Sequence, residues 1–226
     1  MKVLPIFAVL LLAGCAKEET QTPSPRAAAQ APAEPARPPQ PADTRPAIVV
    51  FGDSISAGFG LDAGQSFPDL LQQDLDRNGY KYRVVNMGVS GDTTQDGVAR
   101  MNLALAEKPA VALLELGGND GLRGVPVEVT RQNLSEMIES FQKAGARVVL
   151  AGMTLPPNYG PAYIAKFEAV YRDLTAKYKV TLIPFLLQGV GGDARYMQHD
   201  GLHPNAAGAQ KVEVLVMKTL EPLLAR

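Results

Sequence analysis

Beyond residue 46 the apolar positions gather into short runs: AIVVF (47–51), YRVVNM (82–87), AVALLEL (110–116), RVVLAG (147–152) and KVTLIPF (179–185). A strand with one wet face alternates apolar and polar residues, whereas a strand covered on both faces stays apolar. These runs predict buried parallel strands. Between them the apolar spacing changes to three and four, the helical period. SFPDLLQQDLDRNG offers Ser66 as an N-cap, Pro68 in the first turn and Gly79 past the end. PVEVTRQNLSEMIESFQKAG stops at Gly145, GPAYIAKFEAVYRDLTAKY carries its aromatic residues toward a core, and NAAGAQKVEVLVMKTLEPLL starts from Asn205 as its cap. DTTQDGVARMNLALAEK is the weakest helix, interrupted at Gly97. Strand and helix in alternation predict an α/β fold, a parallel sheet with helices on both faces.

The first 46 residues follow another pattern. MKVLPIFAVLLLAGC sets one Lys before a short apolar stretch that ends in small residues and Cys15. That stretch is too short to span a bilayer and has the form of an export signal. LAGC resembles the lipobox of bacterial lipoproteins, which implies cleavage after residue 14 and lipidation of Cys15. Residues 15–46, rich in Pro, Ala and Gln, cannot bury enough apolar surface to offset ordering, and predict a semi-rigid tether. The expected organisation is a signal peptide (1–14), an anchor and tether (15–46) and one folded domain (47–226). Such a chain would sit in the periplasm, held to an envelope membrane, the outer one by expectation. A net charge of -1 removes the basic footprint a nucleic-acid binder needs. Cys15 is the only cysteine, so no internal disulfide forms and stability must come from the core. A monomer is expected.

In open parallel sheets, ligands bind outside the carboxyl ends of the strands. That rule selects GDSISAG, NMGVSGDTT, GGNDGLRG and MTLPPNYG, together with HDGLHPN near the end of the chain. Ser54 follows the first strand directly. A serine hydroxyl attacks well only when a base takes its proton. The chain has two histidines, His199 and His203, with Asp200 between them. Asp200 and His203 are three apart and Pro204 follows, so a tight loop could set the carboxylate on one ring nitrogen and leave the other for Ser54. His199 adjoins Asp200 and is expected to point elsewhere. Donors for a developing oxyanion are available from the Ser54 N–H, the Gly88 N–H and the Asn119 side-chain amide. Two histidines without a further ligand cluster argue against a metal, and the chemistry needs no cofactor.

GDSISAG, NMGVSGDTT, GGND and DGLHP resemble the four blocks of the SGNH (GDSL) hydrolase family, in that family's order. Ile55 stands where Leu is usual, and Met87 where a smaller residue is common. LELGGNDGLRG and PPNYG resemble most the branch of acyl-CoA thioesterase/lysophospholipases and arylesterases. The resemblance implies a flavodoxin-like three-layer α/β/α sandwich with a five-stranded parallel sheet. It also implies a serine esterase with nucleophile Ser54, base His203, acid Asp200 and an oxyanion hole of Ser54, Gly88 and Asn119. Expected substrates are aryl esters, short and medium acyl esters, acyl thioesters and lysophospholipids. Asp53, Asn119, Pro156, Tyr159 and Leu202 are the candidates for substrate contact; Pro156, Pro157 and Pro161 stiffen the loop after the fourth strand. Plainer roles stand beside these. Asp53 can shape its own turn, Asp92 and Thr93 can cap a helix, Asp120 can order its loop, and Tyr159 can pack locally. Two other readings stay open: a carbohydrate acetylesterase, and a non-catalytic lipoprotein holding a phosphate or flavin at GDSISAG.

Overall fold

The computed structural model describes residues 43–225. The expected signal peptide, Cys15 and nearly all of the tether lie outside them. The sheet contains β1 (Ala47–Gly52), β2 (Arg83–Asn86), β3 (Pro109–Glu115), β4 (Arg147–Ala151) and β5 (Thr181–Ile183). Every pairing is parallel, in the order β2-β1-β3-β4-β5. That order is the flavodoxin-like one, and its switch point lies between β1 and β3. All six residues of β1 are buried, as an unbroken apolar run requires of a central strand. Edge strand β2 is only half-buried. The last run is longer than its strand. Lys179 adopts a left-handed conformation (φ 54°) that ends the preceding helix, and Pro184, lacking an N–H, stops the ladder after Ile183.

The helices are α1 (Ser54–Ala57), α2 (Phe67–Arg77), α3 (Thr94–Ala99), α4 (Met101–Ala106), α5 (Gly118–Leu122), α6 (Val127–Lys143), α7 (Pro161–Tyr178) and α8 (Ala206–Leu220). α2 packs with α8, while α6 packs with α3 and α7, which gives one layer on each face of the sheet. Caps follow the expected chemistry: Ser66 accepts from Asp69 N–H, and Asn205 accepts from Gly208 N–H. The core joins Phe51 and Phe141 edge to face, with centroids 5.9 Å apart, and Phe167 with Tyr171 at 5.5 Å. Phe167 and Tyr171 are buried, as expected of aromatic residues on α7.

Three expectations change. The weak helix is interrupted at Arg100, not at Gly97. Gly97 lies inside α3 because Leu116 and Met137 press on it; a Cβ there would meet Leu116 Cδ1 at 2.5 Å and Met137 Sδ at 3.0 Å. Thr93 caps α3 in a capping box with Asp96, but Asp92 instead pairs with Arg100. Asp120 does more than order its own loop: it accepts from Thr94 N–H at 2.8 Å and from Thr130 Oγ1 at 3.3 Å, joining α3, α5 and α6. The described residues just before β1 are tied to the domain. Arg45 reaches Asp76 of α2 at 2.9 Å, and the Pro46 carbonyl accepts from Arg83 N–H at 3.0 Å.

Gly97→Val tests the packing reading. The helix-propensity gain over Gly is under about 1 kcal/mol, while overpacking costs about 1–3 kcal/mol. Urea unfolding should therefore show a net loss with an unchanged m-value; a stabilised variant would mean the core has slack at this point.

Candidate active site

Ser54 is the first residue of α1, immediately outside β1. The sharp exit has identifiable causes. Asp53 caps α1 by accepting from Ile55 N–H at 3.1 Å, and Gly58 ends it in a left-handed conformation (φ 74°). Gly52 is required for closeness: a Cβ would lie 2.2 Å from both Glu115 Oε2 and Ser56 Oγ. The serine is thus delivered to the β1/β3 crevice, where the fold opens between neighbouring loops.

His203 Nε2 lies 2.8 Å from Ser54 Oγ, and His203 Nδ1 lies 2.7 Å from Asp200 Oδ2. The other Asp200 oxygen accepts from Leu202 N–H at 2.9 Å and His203 N–H at 3.0 Å. The carboxylate therefore folds its own loop and orients the ring that follows. Partial burial pulls Asp200 upward, but the ring and the backbone bonds outweigh it and hold it at about 2. Phe59 packs on the imidazole with centroids 4.6 Å apart. Gln198 Nε2 donates to Phe59 O at 2.7 Å and to Pro204 O at 2.9 Å, tying the histidine loop to the serine turn. His199 is exposed.

Gly88 and Asn119, the expected oxyanion residues, both adjoin the turn that carries Ser54. Gly88 presses its backbone on the start of α1; a Cβ there would come within 2.3 Å of Ala57 N and 2.8 Å of Asp53 O. Its N–H donates to Asn86 Oδ1 at 3.0 Å. The Asn119 amide donates to Asp53 Oδ2 at 3.1 Å and to Asp92 O at 2.9 Å. Both donors thus rest on protein acceptors. An oxyanion accepts more strongly than a neutral oxygen and can draw an N–H away from one.

The other candidates are dispersed. Asp53 is 2% exposed and its carboxylate is taken up by Ile55 and Asn119, so it lies beneath the site and offers no surface to a substrate. Tyr159 donates to Leu122 O at 2.8 Å and stacks on Tyr163, which moors the loop after β4 to α5 rather than to the serine and histidine. Pro156 is half-buried in that loop. Leu202 is 41% exposed beside His203; Phe59 and Val89 are exposed as well. A small cleft at Ser54 is lined by Ile55, Phe59, Leu61 and Phe67. Among the described residues, no group of three or more His, Cys, Asp or Glu could hold a metal, and no helix is long and apolar enough to cross a membrane.

Sequence reasoning missed Arg100. Its guanidinium donates to Asp92 Oδ2 at 2.6 Å, Met87 O at 2.8 Å and Gly52 O at 2.8 Å, and it stacks 4.1 Å over the Phe51 ring. One side chain pins the loop after β1 to the loop after β2. Glu115 was missed too, although a carboxyl inside the apolar run AVALLEL was a readable signal.

The GDSL-like Lipase/Acylhydrolase family pattern matches residues 50–211. The chain belongs to that family. It is 50% identical to Esterase TesA of Pseudomonas aeruginosa over 78% of its own length and 89% of that protein. Its identity to an arylesterase of Vibrio mimicus is 42%, over 70% of this chain and 79% of the other. The crystal structure of TesA superposes with a TM-score of 0.77, covering 79% of this chain and 99% of that one at 50% identity. As a GDSL family member the protein is a serine ester hydrolase, which sets aside the non-catalytic binding reading.

The loop-pinning role of Arg100 is testable by Arg100→Lys. An ammonium carries its three donors on one nitrogen and cannot span acceptors reached by Nε, Nη1 and Nη2 of a planar guanidinium, and misplacement by about 1 Å costs roughly a hundredfold in rate. Ester hydrolysis should fall about ten- to a hundredfold with far-UV circular dichroism unchanged; full activity would remove Arg100 from the account.

Proposed function

We propose that this GDSL family member cleaves carboxylic esters and thioesters with Ser54 as nucleophile, His203 as base and Asp200 as the acid that orients it. The observation that carries the reading is the continuous chain from Ser54 Oγ to His203 Nε2 (2.8 Å) and from His203 Nδ1 to Asp200 Oδ2 (2.7 Å). Ser54 Oγ attacks the acyl carbonyl while the imidazole takes its proton, and Asp200 stabilises the resulting cation. The carbonyl oxygen becomes an oxyanion facing the Ser54 N–H, the Gly88 N–H and the Asn119 amide. The neutral Asn86 amide oxygen gives up its Gly88 N–H and the neutral Asp92 carbonyl its Asn119 N–H, while the charged bond to Asp53 remains as a pivot. His203 then protonates the leaving alcohol or thiol. Water, deprotonated by the same ring, releases the acid from the acyl-enzyme.

The exposed apolar residues at the site, Phe59, Val89 and Leu202, favour acyl and aryl groups over strongly polar ones. Aryl esters, short and medium acyl esters, acyl thioesters and lysophospholipids are the proposed substrates, in keeping with the esterase and arylesterase relatives. The proposed setting is the periplasm, with the chain anchored through lipid on Cys15; the intact mass of membrane-extracted protein tests the anchor.

On p-nitrophenyl butyrate, Ser54→Ala should abolish turnover. Asn119→Ala should lower kcat about a hundred- to a thousandfold, the usual loss for one oxyanion donor, while remaining folded. Equal rates for wild type and Ser54→Ala would end the proposal.

Asp200 adds a pH test. Its folded value, about 2, lies below the ordinary 3.8, so its stabilising effect is present above about pH 4 and fades as pH falls toward 2. The carboxylate is therefore charged throughout the assay range. Asp200→Asn should cut kcat by about a thousandfold or more at pH 8, and a variant within about tenfold of wild type would remove Asp200 from the triad. The stability gap between the two proteins should close as pH falls from about 4 toward 2; a gap constant over that range would contradict the lowered value.

A further inference from the structure

Glu115 ends β3 directly beside Gly52 of β1, at the switch point of the sheet, and is wholly buried. Its Oε2 accepts from Asp53 N–H at 3.1 Å, Ser56 N–H at 3.3 Å and Ser56 Oγ at 2.5 Å. Its Oε1 is buried with no N–H or hydroxyl donor facing it. No Lys or Arg pairs with it among the described residues. Asp53, whose N–H it binds, brings a second buried carboxyl beside it, and the charge of that group acts on Glu115. Two buried carboxyl groups side by side, with no Lys or Arg on Glu115, do not both ionise, and the one that keeps its proton can donate to the other.

The surroundings decide which one. Asp53 faces two donors, Ile55 N–H and the Asn119 amide, and serves both best as a carboxylate. Glu115 has three donors crowded on one oxygen and none on the other, the pattern of a C=O and an O–H. We propose that Glu115 is a positioning residue, a neutral carboxylic acid that lends its proton to Asp53 and so fixes Asp53 as the pivot that aims Asn119 at the oxyanion. It touches no substrate. Its effect passes through Asp53 to Asn119, and the kinetic part of the inference rests on the oxyanion role proposed above for Asn119.

The charge balance agrees. Burial first, and then the Asp53 charge, push Glu115 well above the ordinary carboxylate range. Burial also raises Asp53, to about 6, against the bonds from Ile55, Glu115 and Asn119, so it is charged at neutral pH. The other titratable groups acting on this pair are Tyr171 from α7 and His203 across Asp53, and Asp120 from α5 acts on Tyr171. Arg100, the nearby cation, is committed to Gly52 O, Met87 O and Asp92.

Glu115→Gln mimics the neutral acid, accepting at one atom and donating at the other. It should keep kcat within about threefold of wild type. Glu115→Met has similar bulk and no donor; it should lower kcat about ten- to a hundredfold with KM changed less than about threefold. A purely structural role would lower the melting temperature without that split, and Gln would then rescue no better than Met. Thermal melts test the proton without any assay of turnover. The unfolded Glu115 ionises above about 4.5 while the folded one keeps its proton, so wild-type stability erodes as pH rises through that window. The Gln variant has no such proton to lose. Its melting temperature should gain about 5 °C or more on wild type between pH 5.5 and pH 8. A gap independent of pH, or a Gln variant as slow as Asn119→Ala, overturns the proposal. If wild type hydrolyses no ester, the proposed function fails instead, and the melts still decide the state of Glu115.

Discussion

Three loops leave this sheet side by side, and a single guanidinium holds two of their backbones in place. Arg100 satisfies the carbonyls of Gly52 and Met87, pairs with Asp92 and lies flat on Phe51. The strands bring the loops close because β1 is flanked by both β2 and β3. Closeness alone does not fix a hydroxyl or an amide to within a few tenths of an ångström. The planar fork does, because each of its bonds is directional and charge-assisted.

Much of the architecture was legible in the residues. The five strands came from uninterrupted Val, Ile and Leu, and the helices from their period and their caps at Ser66 and Asn205. Ser54, Asp200 and His203 could be named because few residues could fill those roles. What escaped was tertiary. Gly97 reads as a helix breaker on propensity, but its neighbours Leu116 and Met137 come from distant segments. Asp53 reads as a group near the substrate from its place beside Ser54, yet the turn aims its carboxylate inward. No local pattern says that Arg100 will find two carbonyls contributed by separate loops.

The site also shows how a fold of this size accommodates polar groups inside. Asp120 takes hydrogen bonds from Thr94 and Thr130, Asn133 donates to Thr94 Oγ1 at 3.0 Å, and Tyr171 donates to Leu116 O at 3.0 Å. A buried polar group left unpaired costs about 1–3 kcal/mol, so such groups specify one arrangement of α3, α5, α6 and α7 and penalise others. The loop that carries Asn119 is therefore set by the packing behind it before any ligand arrives.

The histidine loop is secured differently. Apart from the His203–Ser54 bond itself, its link to the serine turn runs through one uncharged carboxamide, Gln198, and through the face of one exposed ring, Phe59. Neutral bonds at a solvent-facing rim loosen with warming well before a buried ladder yields. Turnover in this enzyme should consequently have a ceiling temperature beneath its melting point, and the lost rate should return on cooling, because what drifts out of line is a moored loop and not the body it is moored to.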